Sequence, residues 1–191
     1  MAKPIDLVFV RHGEAEGNRA RKLAKCGDHS AYTPEFLKRH SSSYRLTDLG
    51  IEQAETTGAW LREEFYGNGG FRICKASEYK RAAETCAYLD LPYPKCDLTA
   101  LLTERDWGDV DRNHPAERDT LFRQVLEDRK EEPFFWQQPN GGAFMTICIR
   151  IILLFMQLEA VEDNASVLLV AHLEVMRAAS VVIERWSQEH F

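Results

Sequence analysis

Two arginines, two histidines and one glutamate stand just beyond the ends of successive strand-like runs in this sequence. Arg11-His12-Gly13-Glu14 follows the first run and Ser77-Glu78-Tyr79-Lys80-Arg81 the second. Thr103-Glu104-Arg105 follows the third, and His172 follows the last. These are the residue types that phosphoryl transfer uses. Guanidinium forks bind two oxygens of a dianionic phosphoryl group at once. A neutral imidazole can attack phosphorus and carry the group covalently. A carboxylic acid can protonate the leaving oxygen and, once ionised, activate water. Each residue alone also has a plainer reading. Arg11 could be a surface cation, His12 a satisfied turn histidine, Glu104 a solvated carboxylate and His172 a core histidine bonded to backbone. Their shared location and complementary chemistry favour a site.

The elements that would position them can be read from periodicity. Ile5–Val10 is a short β-rich apolar run that stops at a Gly-containing turn, as a central parallel strand does. Thr47 is a candidate N-cap for a helix with Leu49, Ala54, Leu61 and Phe65 on one face, ended by Gly67-Asn68-Gly69-Gly70. Phe71–Ala76 reads as a strand and Tyr79–Leu89 as a helix. Pro115–Glu131 reads as a charged helix, and the apolar run from Met145 to Val161 as a buried one. Val167–Ala171 is the clearest buried strand, with a helical pattern from Val175 to about Arg185. Strands alternating with helices imply an α/β layered fold with a mostly parallel sheet. Such sheets bind ligands beyond the carboxyl ends of their strands, where the five residues fall.

Composition narrows the function. The chain has 191 residues, 45% of them hydrophobic, which suits one domain with one substantial core. Its net charge of −6 argues against a general nucleic-acid binder. Residues 19–45 depart from that balance. They hold seven basic residues (Arg19, Arg21, Lys22, Lys25, Lys38, Arg39, Arg45) against Asp28 and Glu35, a net of +5. This basic insertion is either a solvated excursion or a substrate-facing segment beside the nucleophile loop. The five cysteines (Cys26, Cys74, Cys86, Cys96, Cys148) form no CxxC pair and read as reduced thiols of a cytoplasmic protein. The first residues carry no signal-like apolar stretch, and the run Ile147–Leu158 is too short to span a bilayer. The six histidines show no ligand-like pairing, so no metal and no cofactor is expected.

Five segments, in order, resemble those of the histidine phosphatase (phosphoglycerate mutase-like) superfamily. They are Leu7-Val8-Phe9-Val10-Arg11-His12-Gly13-Glu14-Ala15-Glu16-Gly17-Asn18, Leu46-Thr47-Asp48-Leu49-Gly50-Ile51-Glu52-Gln53-Ala54, Ser77-Glu78-Tyr79-Lys80-Arg81-Ala82-Ala83-Glu84-Thr85, Leu102-Thr103-Glu104-Arg105-Asp106-Trp107-Gly108-Asp109 and Val167-Leu168-Leu169-Val170-Ala171-His172. The resemblance implies a three-layer α/β/α sandwich and a metal-independent enzyme acting on a small phosphorylated molecule. His12 would become phosphohistidine. Arg11, Arg81 and His172 would surround the phosphoryl oxygens with help from Asn18, and Glu104 would be general acid and then base. A nucleophilic His12 must be neutral, which Arg11 and Arg81 promote. The same cations make Glu104 easier to ionise, so its acid role requires burial or the charge of the arriving phosphate.

The chain departs from the family pattern at three places. Leu173 follows the second histidine where Gly is usual, and strain is expected if that backbone needs φ > 0. Pro139-Asn140-Gly141-Gly142-Ala143 aligns with a PxGES segment but lacks its Glu and Ser. Relatives usually add another strand beyond the position of Phe191. Mutase signatures carry Trp where this chain has Gly17, and mutases are typically longer, which points to the phosphatase branch. A mutase-type phosphotransferase and a phosphate-binding pseudoenzyme are the alternatives.

Overall fold

The computed structural model describes residues 6–66, 69–92, 95–159 and 166–185. Ile5, Gly67, Asn68, Val161 and Phe191, on which parts of the sequence reading rest, lie outside them. Strands β1 (Asp6–Arg11), β2 (Ile73–Ser77), β3 (Cys96–Thr99) and β4 (Ser166–Ala171) form an all-parallel sheet in the order β1-β4-β2-β3. Helices α1 (Glu16–Lys25), α2 (Pro34–Lys38) and α3 (Asp48–Phe65) follow β1, and α4 (Lys80–Tyr88) joins β2 to β3. Helices α5 (Gly108–Asp111), α6 (Pro115–Leu121), α7 (Arg123–Glu131) and α8 (Phe144–Glu159) lead to β4, and α9 (Leu173–Glu184) follows it.

Period-2 alternation along the strands makes the layers. Val167, Leu169 and Ala171 of β4 pack with Leu7, Phe9 and the inner faces of α8 and α9. Leu168 and Val170, pointing the other way, pack with Val10, Ala76, Leu61 of α3 and Ala82 of α4. The central strand is therefore apolar on both faces, as a parallel strand covered by helices must be. Burying one such Val or Leu contributes about 1.5–3 kcal/mol. The register pairs Arg11 with Ala171 and Ala76 with Val170. His12, Ser77 and His172 consequently leave the sheet at one edge, and the His12 N–H still bonds Ala171 O at 3.0 Å.

The segments read as family motifs fold into clamps around the loop after β1. Thr47 caps α3, its Oγ1 accepting from Gly50 N–H, and also donates to Glu14 Oε1. Gln53 Oε1, one turn on, accepts the Glu14 N–H at 2.8 Å. Gly50 is needed because a Cβ there would lie 2.0 Å from Glu14 O; a Cβ on Gly13 would likewise meet Gly50 O at 2.3 Å. Two backbones touch at this point, and only glycine on each side permits it. From the other side Thr85 of α4 accepts the Gly13 N–H at 3.1 Å.

Some expectations need correction. Pro115–Glu131 is two helices, because Phe122 adopts φ −114 and ψ 21 and the chain turns there. Helix α8 is buried on one face only. Phe144, Ile147, Ile151 and Leu154 are inside, whereas Ile149, Ile152, Leu153 and Met156 are exposed. The cysteines are not all free: Cys86 and Cys96 are joined as a disulfide, and Cys26, Cys74 and Cys148 remain thiols. Among the described residues no helix is long and apolar enough to cross a membrane.

Candidate active site

His12 is buried at the carboxyl end of β1, 8% exposed. Its Nδ1 lies 2.7 Å from Gly13 O, so the proton sits on Nδ1 and donates to that carbonyl. The Nε2 lone pair faces Arg81, whose Nε–H donates to it at 3.1 Å. Burial first, then the Arg81 and Arg11 charges, hold the imidazole pKa down at about 3. A ring that is neutral, fixed in tautomer and unprotonated at Nε2 is what a nitrogen nucleophile requires.

Arg81 is buried in the first turn of α4, a place that costs energy twice. Its charge is desolvated, and it lies at the positive end of the helix dipole. Burial accordingly lowers its pKa. Hydrogen bonds to His12 and to Ser41 O, at 2.6 Å, offset part of that cost. A cation kept in such a place is poised for an anion.

His172 is fully buried where β4 passes into α9, its ring 5.0 Å from the His12 ring. Its Nε2 is 2.8 Å from Ser77 Oγ, and Ser77 Oγ already accepts the Tyr79 N–H. The serine hydroxyl can donate to Nε2, an arrangement that puts the His172 proton on Nδ1. Nδ1 is buried with no hydrogen-bond partner among the described residues. Burial, reinforced by Arg81, keeps this ring neutral, with a pKa far below the usual histidine range. His172 thus stands beside His12 rather than on the cleft wall.

The other residues singled out in the sequence line a cleft of about 380 Å³ together with His12 and Arg81. Arg11 is exposed at its rim. Asn18 Oδ1 accepts the Ala15 N–H at the start of α1, which leaves the amide N–H₂ as its donor. Glu104 follows the 3-10 turn Ala100–Leu102, with Oε1 accepting its neighbour's N–H from Arg105. Burial raises the Glu104 pKa, against the opposing pull of the Arg105 N–H and the Arg81 charge. Of the two requirements set by the sequence for an acid, burial is met.

The cleft also holds residues that sequence reasoning missed. Arg118, Arg129, Trp107, Asp111 and Glu174 line it. Asp111 is held above the usual carboxylate range by burial, although Arg21, Arg118 and Arg81 pull the other way. The Arg105 and Arg129 guanidiniums both lie against the Trp107 ring, at 5.0 and 4.7 Å, and both also approach Trp136, at 5.0 and 5.9 Å. Glu174 and Arg105 are themselves buried. Cationic residues spaced along α6 and α7 were a visible signal; that these helices turn toward the cleft was not.

The basic segment is not a loose flap. It contains α1, α2 and a 3-10 turn at Ser41–Ser43. Arg39 donates to Glu16 from both terminal guanidinium nitrogens and also to Ser43 O. Arg21 is the residue of the seven that lines the cleft. Leu173 has no positive φ, so the expected strain is absent, and it begins α9 with its side chain exposed to the cleft. Gly142 has open space where a side chain would stand, and its carbonyl accepts from Arg105 Nε.

Comparison with known proteins agrees with this architecture. The chain is 25% identical over 184 residues to the 2,3-bisphosphoglycerate-dependent phosphoglycerate mutase of Methylorubrum populi, covering 93% of this chain and 78% of that protein. It is 28% identical over 195 residues to the enzyme of the same name from Azorhizobium caulinodans, covering 96% and 83%. In structure it is similar to the α-ribazole phosphatase of Shigella flexneri, with TM-score 0.71, 22% identity and coverage of 97% and 84%. A mycobacterial glucosyl-3-phosphoglycerate phosphatase has a similar fold, with TM-score 0.73, 21% identity and coverage of 95% and 82%. The sequence profile of the histidine phosphatase superfamily (branch 1) matches residues 7–191. With that match over nearly its whole length, the chain belongs to the histidine phosphatase superfamily.

Proposed function

We propose that this protein is a phosphomonoesterase that hydrolyses a small phosphorylated molecule through a phosphohistidine at His12. The observation that carries the reading is the state of His12: neutral, with Nδ1 locked on Gly13 O and Nε2 turned to Arg81 at an arginine-lined cleft. An arriving phosphoryl group takes over the Arg81 N–H and leaves Nε2 free to attack. Arg81 and Arg11 neutralise the equatorial oxygens, the Asn18 amide donates to them, and His172 stands beside the His12 ring. Glu104, whose pKa burial raises, gives its proton to the leaving oxygen. As carboxylate it then takes a proton from the water that attacks the phosphohistidine. Charge on the phosphate is balanced by arginine, so the reaction needs no metal.

The phosphatase reading is supported at Gly17. A Cβ there would lie 2.8 Å from the Tyr44 ring, which fills the space a larger residue would take. The mutase reading rests on the names of the relatives in sequence. Release of inorganic phosphate from p-nitrophenyl phosphate, with and without EDTA, tests the first; conversion of 3- to 2-phosphoglycerate in the presence of the bisphosphate tests the second. Hydrolysis unaffected by EDTA, with no isomerisation, is expected. Isomerisation faster than hydrolysis would make the protein a mutase, and loss of hydrolysis on chelation would remove the proposed reaction class.

A further inference from the structure

Three sulfurs meet in the apolar layer between the sheet and α4, the helix that also carries Arg81. Cys74 lies on β2, Cys86 on α4 and Cys96 on β3. Their Sγ atoms all lie within 4.8 Å of one another. Cys86 is bonded to Cys96, and its sulfur is also 3.5 Å from that of Cys74. Cys74 is buried, whereas Cys86 and Cys96 are half-exposed. The cluster sits among Leu61, Ala82 and Leu89 of the apolar layer. One sulfur thus has two partners within reach, one facing solvent and one facing the core.

We propose that Cys74, Cys86 and Cys96 form a thiol–disulfide exchange centre in which Cys86 is the shared sulfur. Its external partner is a small thiol–disulfide couple of the glutathione class. In the oxidising direction the Cys86 thiolate attacks the small disulfide, whose S–S bond breaks and whose first half leaves as a thiol. The Cys96 thiolate then attacks Cys86 Sγ and expels the second half. Two electrons pass from the protein to the small disulfide, and the two protein protons end on the two leaving thiols. Internal exchange needs no oxidant. The Cys74 sulfur bonds Cys86, the Cys86–Cys96 bond breaks, and the Cys74 proton goes to Cys96. Burial, with Asp97 nearby, pushes the Cys74 thiol up to about 12, so Cys74 is the reserve partner and Cys96 the resting one. The exchange moves the anchor of α4 from the edge strand β3 to β2, the strand whose Ser77 holds His172.

Trypsin separates the three cysteines, because Lys75, Arg81 and Lys95 lie between them. The full-length protein is equilibrated anaerobically at a series of glutathione ratios, quenched in acid, alkylated and mapped by mass spectrometry. Wild type is expected to form and lose the Cys86–Cys96 link reversibly, with a minor Cys74–Cys86 link at intermediate ratios and with Cys26 and Cys148 unlinked. In Cys96→Ser the Cys74–Cys86 link is expected to become the major one, rising at least tenfold, and in Cys74→Ser the Cys86–Cys96 link should be unchanged. Circular dichroism establishes that each variant is folded. A folded Cys96→Ser without the Cys74–Cys86 link overturns the proposal. So does a wild type that yields no Cys86–Cys96 link at any ratio, or reduced protein whose three thiolates retain one equivalent of zinc and resist oxidation. If Cys96→Ser does not fold, absence of the minor link from wild type is the result that overturns it.

Discussion

Glu104 shows how much of the chemistry is decided by surroundings rather than by residue type. In the sequence it is one carboxylate among thirty acidic residues. In the fold, burial raises its pKa while Arg81 pulls it down, and burial is the larger influence. The active form of a general acid is the protonated one. Activity on poor leaving groups should therefore hold at low pH and fall as pH rises through the Glu104 pKa, above the usual carboxylate range. His12, with its pKa held at about 3, should impose no acid limb at pH 5 or 6. Glu104→Gln is expected to slow alkyl phosphates by about 10²–10⁴-fold, to slow activated aryl phosphates far less, and to abolish the basic limb. Rate–pH profiles on both substrates check this, and equal losses on both would assign Glu104 a binding or structural role. The types Arg, His and Glu were legible at strand ends because chemistry limits the choice. The Ser77–His172 bond was not, since a serine at a strand end has many equally plain uses.

At the scale of elements, the strands were legible and some helices were not. Val167–Ala171 is apolar on both faces, a pattern that a central parallel strand alone demands, and β4 is found there. The charged stretch Pro115–Glu131 carries no Gly or internal Pro to announce its break at Phe122. The outer face of α8 looks like core because Ile149, Ile152 and Leu153 are apolar yet exposed, and hydropathy alone cannot tell the two faces apart. The contact between α3 and the His12 loop makes a sharper test. Gly50→Ala drives a Cβ into Glu14 O, which should cost about 1–3 kcal/mol and displace the loop that holds His12. Gly142→Ala meets open space and should leave both stability and kcat unchanged. Thermal melts and kinetics of the two variants check this. Equal effects would mean that the close approach does not position the loop.

For the whole molecule, charge is distributed unevenly about a cleft built to receive an anion. The chain is net −6, yet Arg11, Arg21, Arg81, Arg105, Arg118 and Arg129 all line the cleft, against Glu104, Asp111 and Glu174. The bias of residues 19–45 was legible as composition, but which of its cations face the cleft depends on how α1 and α2 pack. Arg21 does, and Arg39 is committed to Glu16. Arg21→Ser should raise KM for a substrate with a second anionic group and weaken its salt dependence, while a small aryl phosphate is turned over as before. Lys22→Ser with Lys38→Ser should change neither substrate. Steady-state kinetics at low and moderate salt check both, and an unaltered KM in Arg21→Ser on every anionic substrate would place the segment outside substrate selection. The central claim, that the molecule carries the phosphoryl group on His12 between two half-reactions, is tested most directly by rapid quench. Enzyme stopped during turnover and weighed intact should be heavier by one phosphoryl group, which acid removes, which alkali leaves in place and which maps to His12. A His12→Ala protein that folds and still hydrolyses at the wild-type rate, or a wild type that shows no such adduct at any quench time while turning over, would contradict it.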